Sequence, residues 1–479
     1  MVKVVPRSGR IAAVLLGTAL VAASALASGA AAAAVSVGHG SAGHSPGTEA
    51  RALLRHGGPG GSPIPVPGHA WPGPVPAWPA AGRSGRGLAL PAARAVPTPG
   101  TSNRLNGIFC PSATNCWAIG TYLSAKLAFL DEALHWNGSK WIQVAVPSPG
   151  GTGNDDFSEL LAGRCTAADN CWAVGDYGQR GGAELDLVLH WNGTRWSKVT
   201  VPSPGGTGTG SVNALFDIAC RSSSSCWAAG EYGLDGGGIV AIRNNVLHWN
   251  GTKWSQITVP NPGGTNNGDS NELDSIRCPS NNACVAVGQT ETTFTSLNQA
   301  LHWDGTTWTV TTVPDPAGTA QNDFNFLANL ACTSSANCWA GGFYYTEEGA
   351  DTLILNQILH WDGTAWTQAS TPQPGGTGAG DGNQINGVDC ASASDCWAVG
   401  AYSGGAGAGL NEALRWDGTT WSQAVTPSPG GTDPGDVSEL DAVHCASAAL
   451  CWAVGLTGTT NTGGPSEALR WDGSTWSAG

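Results

Sequence analysis

The chain has 479 residues, 41% hydrophobic and 12% charged, with 70 Gly, 29 Pro, 22 Trp and 14 Cys. Its net charge of −14 is uneven: residues 1–100 carry 8 Lys and Arg against 1 acid, while residues 101–479 carry 13 against 34, a net −21. So acidic a body argues against nucleic acid and anionic membrane surfaces as partners, and is compatible with cations, basic partners or neutral glycans.

Lys3, Arg7 and Arg10 precede an apolar run from Ile11 to Ala27, with Ala25-Leu26-Ala27 as an A-x-A cleavage motif. Residues 1–34 read as an export signal cut near residue 27. The rival reading is an uncleaved anchor, because small apolar residues continue to Ala34. No other stretch suits a bilayer span. Residues 35–93 are rich in Pro, Gly and Ala, with Trp71-Pro72 and Trp78-Pro79. Such a composition cannot bury enough apolar surface to offset its ordering entropy, so it reads as a flexible linker. A secreted, monomeric protein is expected.

From Cys110 a unit of about 55 residues repeats seven times. It is marked by Cys110/Cys116, Cys165/Cys171, Cys220/Cys226, Cys278/Cys284, Cys332/Cys338, Cys390/Cys396 and Cys445/Cys451. An exported chain whose cysteines all come in regular pairs reads as a disulfide framework. Zinc is disfavoured: C-x5-C is not a usual ligand spacing, and no second Cys or His pair recurs at a fixed distance.

The sixth repeat shows the strand pattern. Ile385–Cys390 reads as strand A, and Cys396-Trp397-Ala398-Val399-Gly400 as strand B, with turn residues between the cysteines. A disulfide there clasps the A–B hairpin near its tip. Strand C is Glu412–Trp416; strand D starts at Thr419 and ends before Pro427. With Asp417-Gly418 as a two-residue turn, Trp416 and Trp421 are expected diagonally on one face. Every repeat carries such a pair, and six add a Trp after the second cysteine, with Val285 the exception. Seven equivalent copies favour packing between sheets over sugar platforms.

Four antiparallel strands per unit and no helical periodicity predict an all-β, seven-bladed β-propeller with one disulfide in each blade, spanning residues 94–479. An open β-solenoid is the runner-up. Residues near 94–97 are expected to complete the outer edge of the last blade, because Ala95–Gly100 resembles the tail Ala145–Gly150.

Trp-Asp-Gly-Thr-x-Trp at the C–D hairpin, preceded by Trp-Ala-Val-Gly, resembles Asp-box blades and photosystem-assembly-factor propellers. Leu414 and Trp416 stand where an Asp box has its serine and aspartate. The whole unit is also similar to secreted actinobacterial repeat proteins with the Cys-Trp-Ala-Val-Gly signature. These resemblances imply architecture and assign no chemistry.

All length variation lies between strands B and C, on the face shared with the D–A loops. Function is expected there, and the clasped A–B face is expected to be inert. Asp156, Asp269, Asp323, Asp381 and Asp436 recur four residues before the strand-A Leu or Ile, a ring suited to Ca²⁺. The competing reading is that each serves its own turn. Tyr344, Tyr345, Glu347, Glu348 and Asp351 break the symmetry and are the candidate ligand residues. His135, His190, His248, His302 and His360 precede the strand-C Trp, where Arg415 and Arg470 later stand, and read as solvent-face side chains. Asn137, Asn192 and Asn250 read as turn residues. The leading functional expectation is an exported, non-catalytic binding or scaffolding propeller for a glycan or extracellular protein. The alternative is a polysaccharide-active hydrolase or lyase.

Overall fold

The computed structural model describes residues 96–479, apart from residues 101 and 379 and the stretches 234–240, 293–294, 347–352, 404–406 and 460–461. Its described residues form 28 β-strands and no helix. Strand β1 (Asn103–Ser112) pairs antiparallel with β2 (Asn115–Leu123), β2 with β3 (Phe129–Trp136), and β3 with the short β4 (Trp141–Gln143). The same pairings recur along the chain to Asp436–Ser447, Leu450–Thr459, Thr462–Trp471 and Trp476–Ala478. Single parallel contacts join some neighbours, such as Phe129 beside Phe157. The fold is all-β and propeller-like.

Strand β2 is covered on both sides, so Cys116-Trp117-Ala118-Ile119-Gly120 is continuously buried and does not alternate. A Cβ on Gly120 would lie 1.9 Å from the Arg104 carbonyl oxygen, so no other residue fits. Opposite it, the ladder skips Asn106: Leu105 pairs with Gly120 and Gly107 with Ile119. This β-bulge, repeated in the other first strands, turns the skipped side chain toward the neighbouring repeat.

The third-to-fourth-strand turn differs from the two-residue hairpin expected. Trp416 pairs directly with Trp421, and Leu414 with Gln423, leaving Asp417–Thr420 as a four-residue loop. The cause is the Asp417 side chain. Its Oδ1 accepts the Thr419 and Thr420 N–H groups at 2.8 Å each, and Gly418 takes φ +95°. Asn137, Asn192 and Asn250 occupy the same capping place.

The paired indoles receive a third from the preceding repeat. Trp117 lies 4.8 Å from Trp191 and 5.2 Å, edge-on, from Trp196. The same arrangement joins Trp172, Trp227, Trp339 and Trp397 to the next repeat's pair. Trp452 of the last repeat lies 4.9 Å from Trp136 and 5.2 Å from Trp141 of the first. Leu105, Leu134, Trp452 and Val454 share one cluster at this junction, and Val96 packs on it. Residues 96–99 adopt no strand, and Arg94 and Ala95, where the outer edge is also expected, lie outside the described residues.

All seven expected disulfides are formed, with Cα separations of 3.9–4.0 Å. Cys110 bonds Cys116, Cys165 bonds Cys171, Cys220 bonds Cys226 and Cys278 bonds Cys284. Cys332 bonds Cys338, Cys390 bonds Cys396 and Cys445 bonds Cys451. Each clasps the hairpin between the first two strands of its repeat. They lie near the hairpin tip, as expected: Cys390 faces Cys396, and Ser392 faces Asp395 at the turn. The second cysteines, Cys116, Cys171, Cys226, Cys284, Cys338, Cys396 and Cys451, are core residues, at most 1% exposed. The reason is that each lies on the second strand, which is covered on both sides. Cys171 thereby packs with Trp117 and Ile119 of the preceding repeat, Cys226 with Trp172, Cys284 with Trp227 and Cys338 with Val285. Cys396 packs with Trp339, Cys451 with Trp397, and Cys116 with Trp452 of the last repeat. The first cysteines are partly exposed, apart from the buried Cys445.

The histidines correct the solvent-face reading. His135 stacks on Trp117 at 4.5 Å, and its Nε2 contacts Asn115 Oδ1 at 2.8 Å. Where Val285 replaces the Trp, His302 takes the vacated place and lies 4.2 Å from Trp361 of the next repeat. Burial lowers the His302 imidazole to about 4.

Candidate functional site

The first strand of every repeat reaches one shared cavity, which Gly107, Arg164, Asp217, Arg277, Asn329, Asp389 and His444 all line. These strands therefore surround a common axis, and the residues that face it depart most from the repeat. Six positions before the first cysteine stand Arg104, Glu159, Ala214, Glu272, Phe326, Gln384 and Glu439. The next residue is Leu or Ile in all seven repeats, because it is core. On the third strand, four before its Trp, stand Glu132, Leu187, Asn245, Gln299, Gln357, Glu412 and Glu467.

The bulge sets how these side chains meet. Asn106, the skipped residue of β1, donates to Glu159 Oε1 at 3.1 Å and to the Leu160 carbonyl at 3.0 Å. Asn386 does the same toward Glu439 and Leu440, at 3.1 Å each. At the junction of first and last repeats the bulged residue is Asp441, and Arg104 donates to it and to Glu439 Oε1 at 3.2 Å. Further round, Asn245 donates to Asp186, Gln289 to Glu272 and Asn411 to Glu467.

The carboxyls form an arc at this level, from the last repeat through the fourth. Glu132, Asp186, Glu231, Glu272, Glu291, Glu439 and Glu467 are all buried. Among the described residues, neither carboxyl oxygen of Asp131, Glu132 or Glu291 has a hydrogen-bond partner. A buried carboxylate without donors is costly, so such groups keep their protons. Burial pushes Glu132 up to about 8. Burial, then the charges of Glu159 and Asp176, raise Asp131 well above the usual range. Glu291 is raised by burial and by Glu272, Glu231 and Asp274. Burial takes Glu439 to about 8 although Arg104 pulls the other way. The fifth repeat interrupts the arc with an apolar wall: Phe324 stacks on Tyr345 at 4.8 Å, and Phe326 on Phe343 at 4.9 Å.

The residues singled out from sequence fall elsewhere. Tyr345 is buried in that wall, while Tyr344, its neighbour on the strand, points to the other side and lines a shallow groove with Gln368 and Gln373. Glu347, Glu348 and Asp351 lie outside the described residues. Asp156, Asp269, Asp323, Asp381 and Asp436 each accept the backbone N–H three residues earlier through Oδ2, at 2.7–3.0 Å. Their carboxylates are thus used by their own turns, as the competing reading held. Among the described residues, no three His, Cys, Asp or Glu side chains are placed to hold a metal ion. The clasped end of the axis is not featureless, since Arg164, Arg277, Asp389 and His444 gather there. A readable signal existed for both groups. Aligned on the cysteines, these are the columns whose chemistry changes from repeat to repeat.

No protein-family model and no curated protein matches the chain. Solved structures do. A GH74 xyloglucanase from Xanthomonas campestris is similar over 79% of this chain and 53% of its own, with 13% identity and TM-score 0.45. This chain thus spans about half the length of that enzyme. A GH93 α-L-arabinofuranosidase of Fusarium graminearum is similar over 79% of this chain and 97% of its own, with 11% identity and TM-score 0.42. Sqt1 from Chaetomium thermophilum is similar over the same shares, with 10% identity and TM-score 0.40. At such identities and scores, no activity carries over to this chain.

Proposed function

We propose that this chain is an exported, closed seven-bladed propeller, four strands to a blade, that acts on polysaccharide at the acidic arc. The shared axial cavity and the Trp452–Trp136 contact support the ring. Seven disulfides suit an oxidising compartment. The observation that carries the activity is the pair of unlike carboxyls around Arg104. Glu439 is pushed up to about 8 and so holds a proton at neutral pH. Asp441 accepts a charge-assisted hydrogen bond from the same guanidinium nitrogen. A protonated carboxyl with a second carboxyl at close quarters suits glycoside cleavage, which needs a proton donor to the leaving oxygen beside a nucleophile or base. A single active site must break the repeat symmetry, and this level of the axis breaks it.

A second reading is a binding or scaffolding propeller without catalysis. The depth of the carboxyls favours it, since Glu439 is 1% and Glu467 4% exposed. Reducing-sugar release from a panel of neutral and uronic-acid polysaccharides separates the two. The hydrolytic reading expects release that Glu439→Gln and Asp441→Asn abolish while glycan binding persists. Glycan binding with no release by the wild-type protein overturns it in favour of the second.

A further inference from the structure

We propose that the clasped end of the axial cavity is an anion site that takes one small carboxylate, with Arg164 as the group that grips it. The site is independent of the acidic arc. Arg164 precedes the first cysteine of its repeat and Glu159 lies five residues earlier on the same strand, roughly 16 Å away at the usual rise of an extended chain.

The other charged groups around the cavity are paired in contact, whereas Arg164 lies near Asp389 and Asp217 without bonding either. Arg277 is engaged by Asp217, whose Oδ2 also accepts the Ser275 hydroxyl at 2.6 Å and the Ile276 N–H at 3.0 Å. Asp389 Oδ2 accepts from His444 Nδ1 at 3.1 Å and from the Cys445 N–H at 2.8 Å. Against its burial, His444, the nearby Arg164 charge and the Cys445 N–H hold Asp389 ionised, at about 2. Arg164 makes no hydrogen bond and no ion pair among the described residues, although it faces the cavity.

A half-buried guanidinium whose fork of N–H donors is unanswered by the protein attracts an acceptor, and a planar carboxylate meets that fork with two parallel bonds. Burial and the nearby Arg277 charge lower the Arg164 pKa, the direction that a bound anion reverses. The cavity holds about 40 Å³, flanked by the apolar Ile108, Ile218 and Val443. By the same measure one water needs about 10–15 Å³, so the space is that of about three waters. It admits a carboxylate head with at most a methyl group, and it refuses a sugar ring.

Isothermal titration of the full chain with sodium formate, acetate, chloride and glucuronate tests this. Formate and acetate are expected to bind the wild-type protein. Chloride is expected to bind at least 10-fold more weakly, and glucuronate not at all. Arg164→Gln is expected to lower acetate affinity at least 10-fold. Arg164→Lys, which keeps the charge without the fork, is expected to fall between. Acetate binding unchanged in Arg164→Gln overturns the proposal, as does wild-type protein that binds no acetate. Chloride binding as tightly as acetate overturns the carboxylate class, and glucuronate binding equally overturns the cavity as the location. If Arg164→Gln fails to fold, the lysine variant decides: wild-type acetate affinity there overturns the role of the fork. Sugar release, whatever its outcome, leaves this site standing.

Discussion

Trp452 in the last repeat packs on Trp136 in the first with ring centroids 4.9 Å apart, the contact that Trp397 makes with Trp471 at 4.7 Å between consecutive repeats. The first-to-last junction therefore has the same packing as the sequential ones. Trp452→Ala is expected to cost about 3–5 kcal/mol, the range for emptying a buried aromatic site. Trp397→Ala should cost a similar amount. Urea unfolding of both variants checks this; a Trp452 effect below about 1 kcal/mol beside a full Trp397 effect would mean that the junction does not hold in solution.

Arg104 ties the same junction electrostatically, through Asp441 and Glu439. Arg104→Met leaves buried carboxyls without their cation and is expected to cost about 3 kcal/mol. Arg104→Met combined with Asp441→Leu should recover part of that loss, because no isolated charge then remains at Asp441. A double-mutant cycle with a coupling energy near zero would show that the pair contributes nothing.

The raised carboxyls make alkaline pH unfavourable. Glu132 holds its proton to about pH 8 in the folded chain and to about 4.5 when unfolded. Between those values the unfolded state binds fewer protons, so stability falls as pH rises. The limit for one such group is roughly 3–5 kcal/mol. Glu132→Gln should be more stable than wild type at pH 9 and show a flatter decline from pH 5 to pH 9. Parallel curves for the two proteins would refute the assignment.

His302 has the opposite sign. Its imidazole titrates near 4 in the fold and near 6.5 outside it, so the unfolded state takes up the proton first. Stability is lost as pH drops below about 6.5, and the loss is complete below about 4, with a ceiling of roughly 3 kcal/mol before solvent screening. His302→Gln is expected to remove that part of the acid sensitivity. Thermal melts between pH 7 and pH 4 measure it, and an unaltered slope counts against the assignment.

Each disulfide closes a short loop, so its effect on the unfolded chain is modest, about 2 kcal/mol by loop entropy. Truncating the buried Cys396 sulfur adds a packing loss of roughly 1 kcal/mol. Replacing Cys390 and Cys396 by Ala should therefore lower stability by about 3 kcal/mol and leave the other six bonds formed. Urea unfolding measures the loss; a value beyond about 5 kcal/mol would show that the clasp orders more than its own hairpin.

Much of this architecture is legible in the chain. The cysteine spacing, the Trp pairs and the Pro-Gly stops mark where strands begin and end, because local turn chemistry and burial decide those points. The hairpin register departs from a two-residue turn because the Asp417 side chain caps its own loop and lengthens it to four residues. The histidines leave the solvent face for a related reason: a polar residue beside Trp looks exposed until the neighbouring indole covers it, as Trp117 covers His135. Tyr344 and Tyr345 looked like one site, but successive residues on a strand face opposite ways.

Repetition alone determined the all-β character, the strand order and the cysteine pairing, since each follows from contacts within one unit or with its immediate neighbour. Only the tertiary structure decided which side chains share the axis. The bulge at Asn106 and its counterparts redirects one residue per repeat, and Arg104 meets Asp441 across 337 positions of chain. No local pattern encodes such a meeting, because it depends on the accumulated turn of every repeat between the two residues.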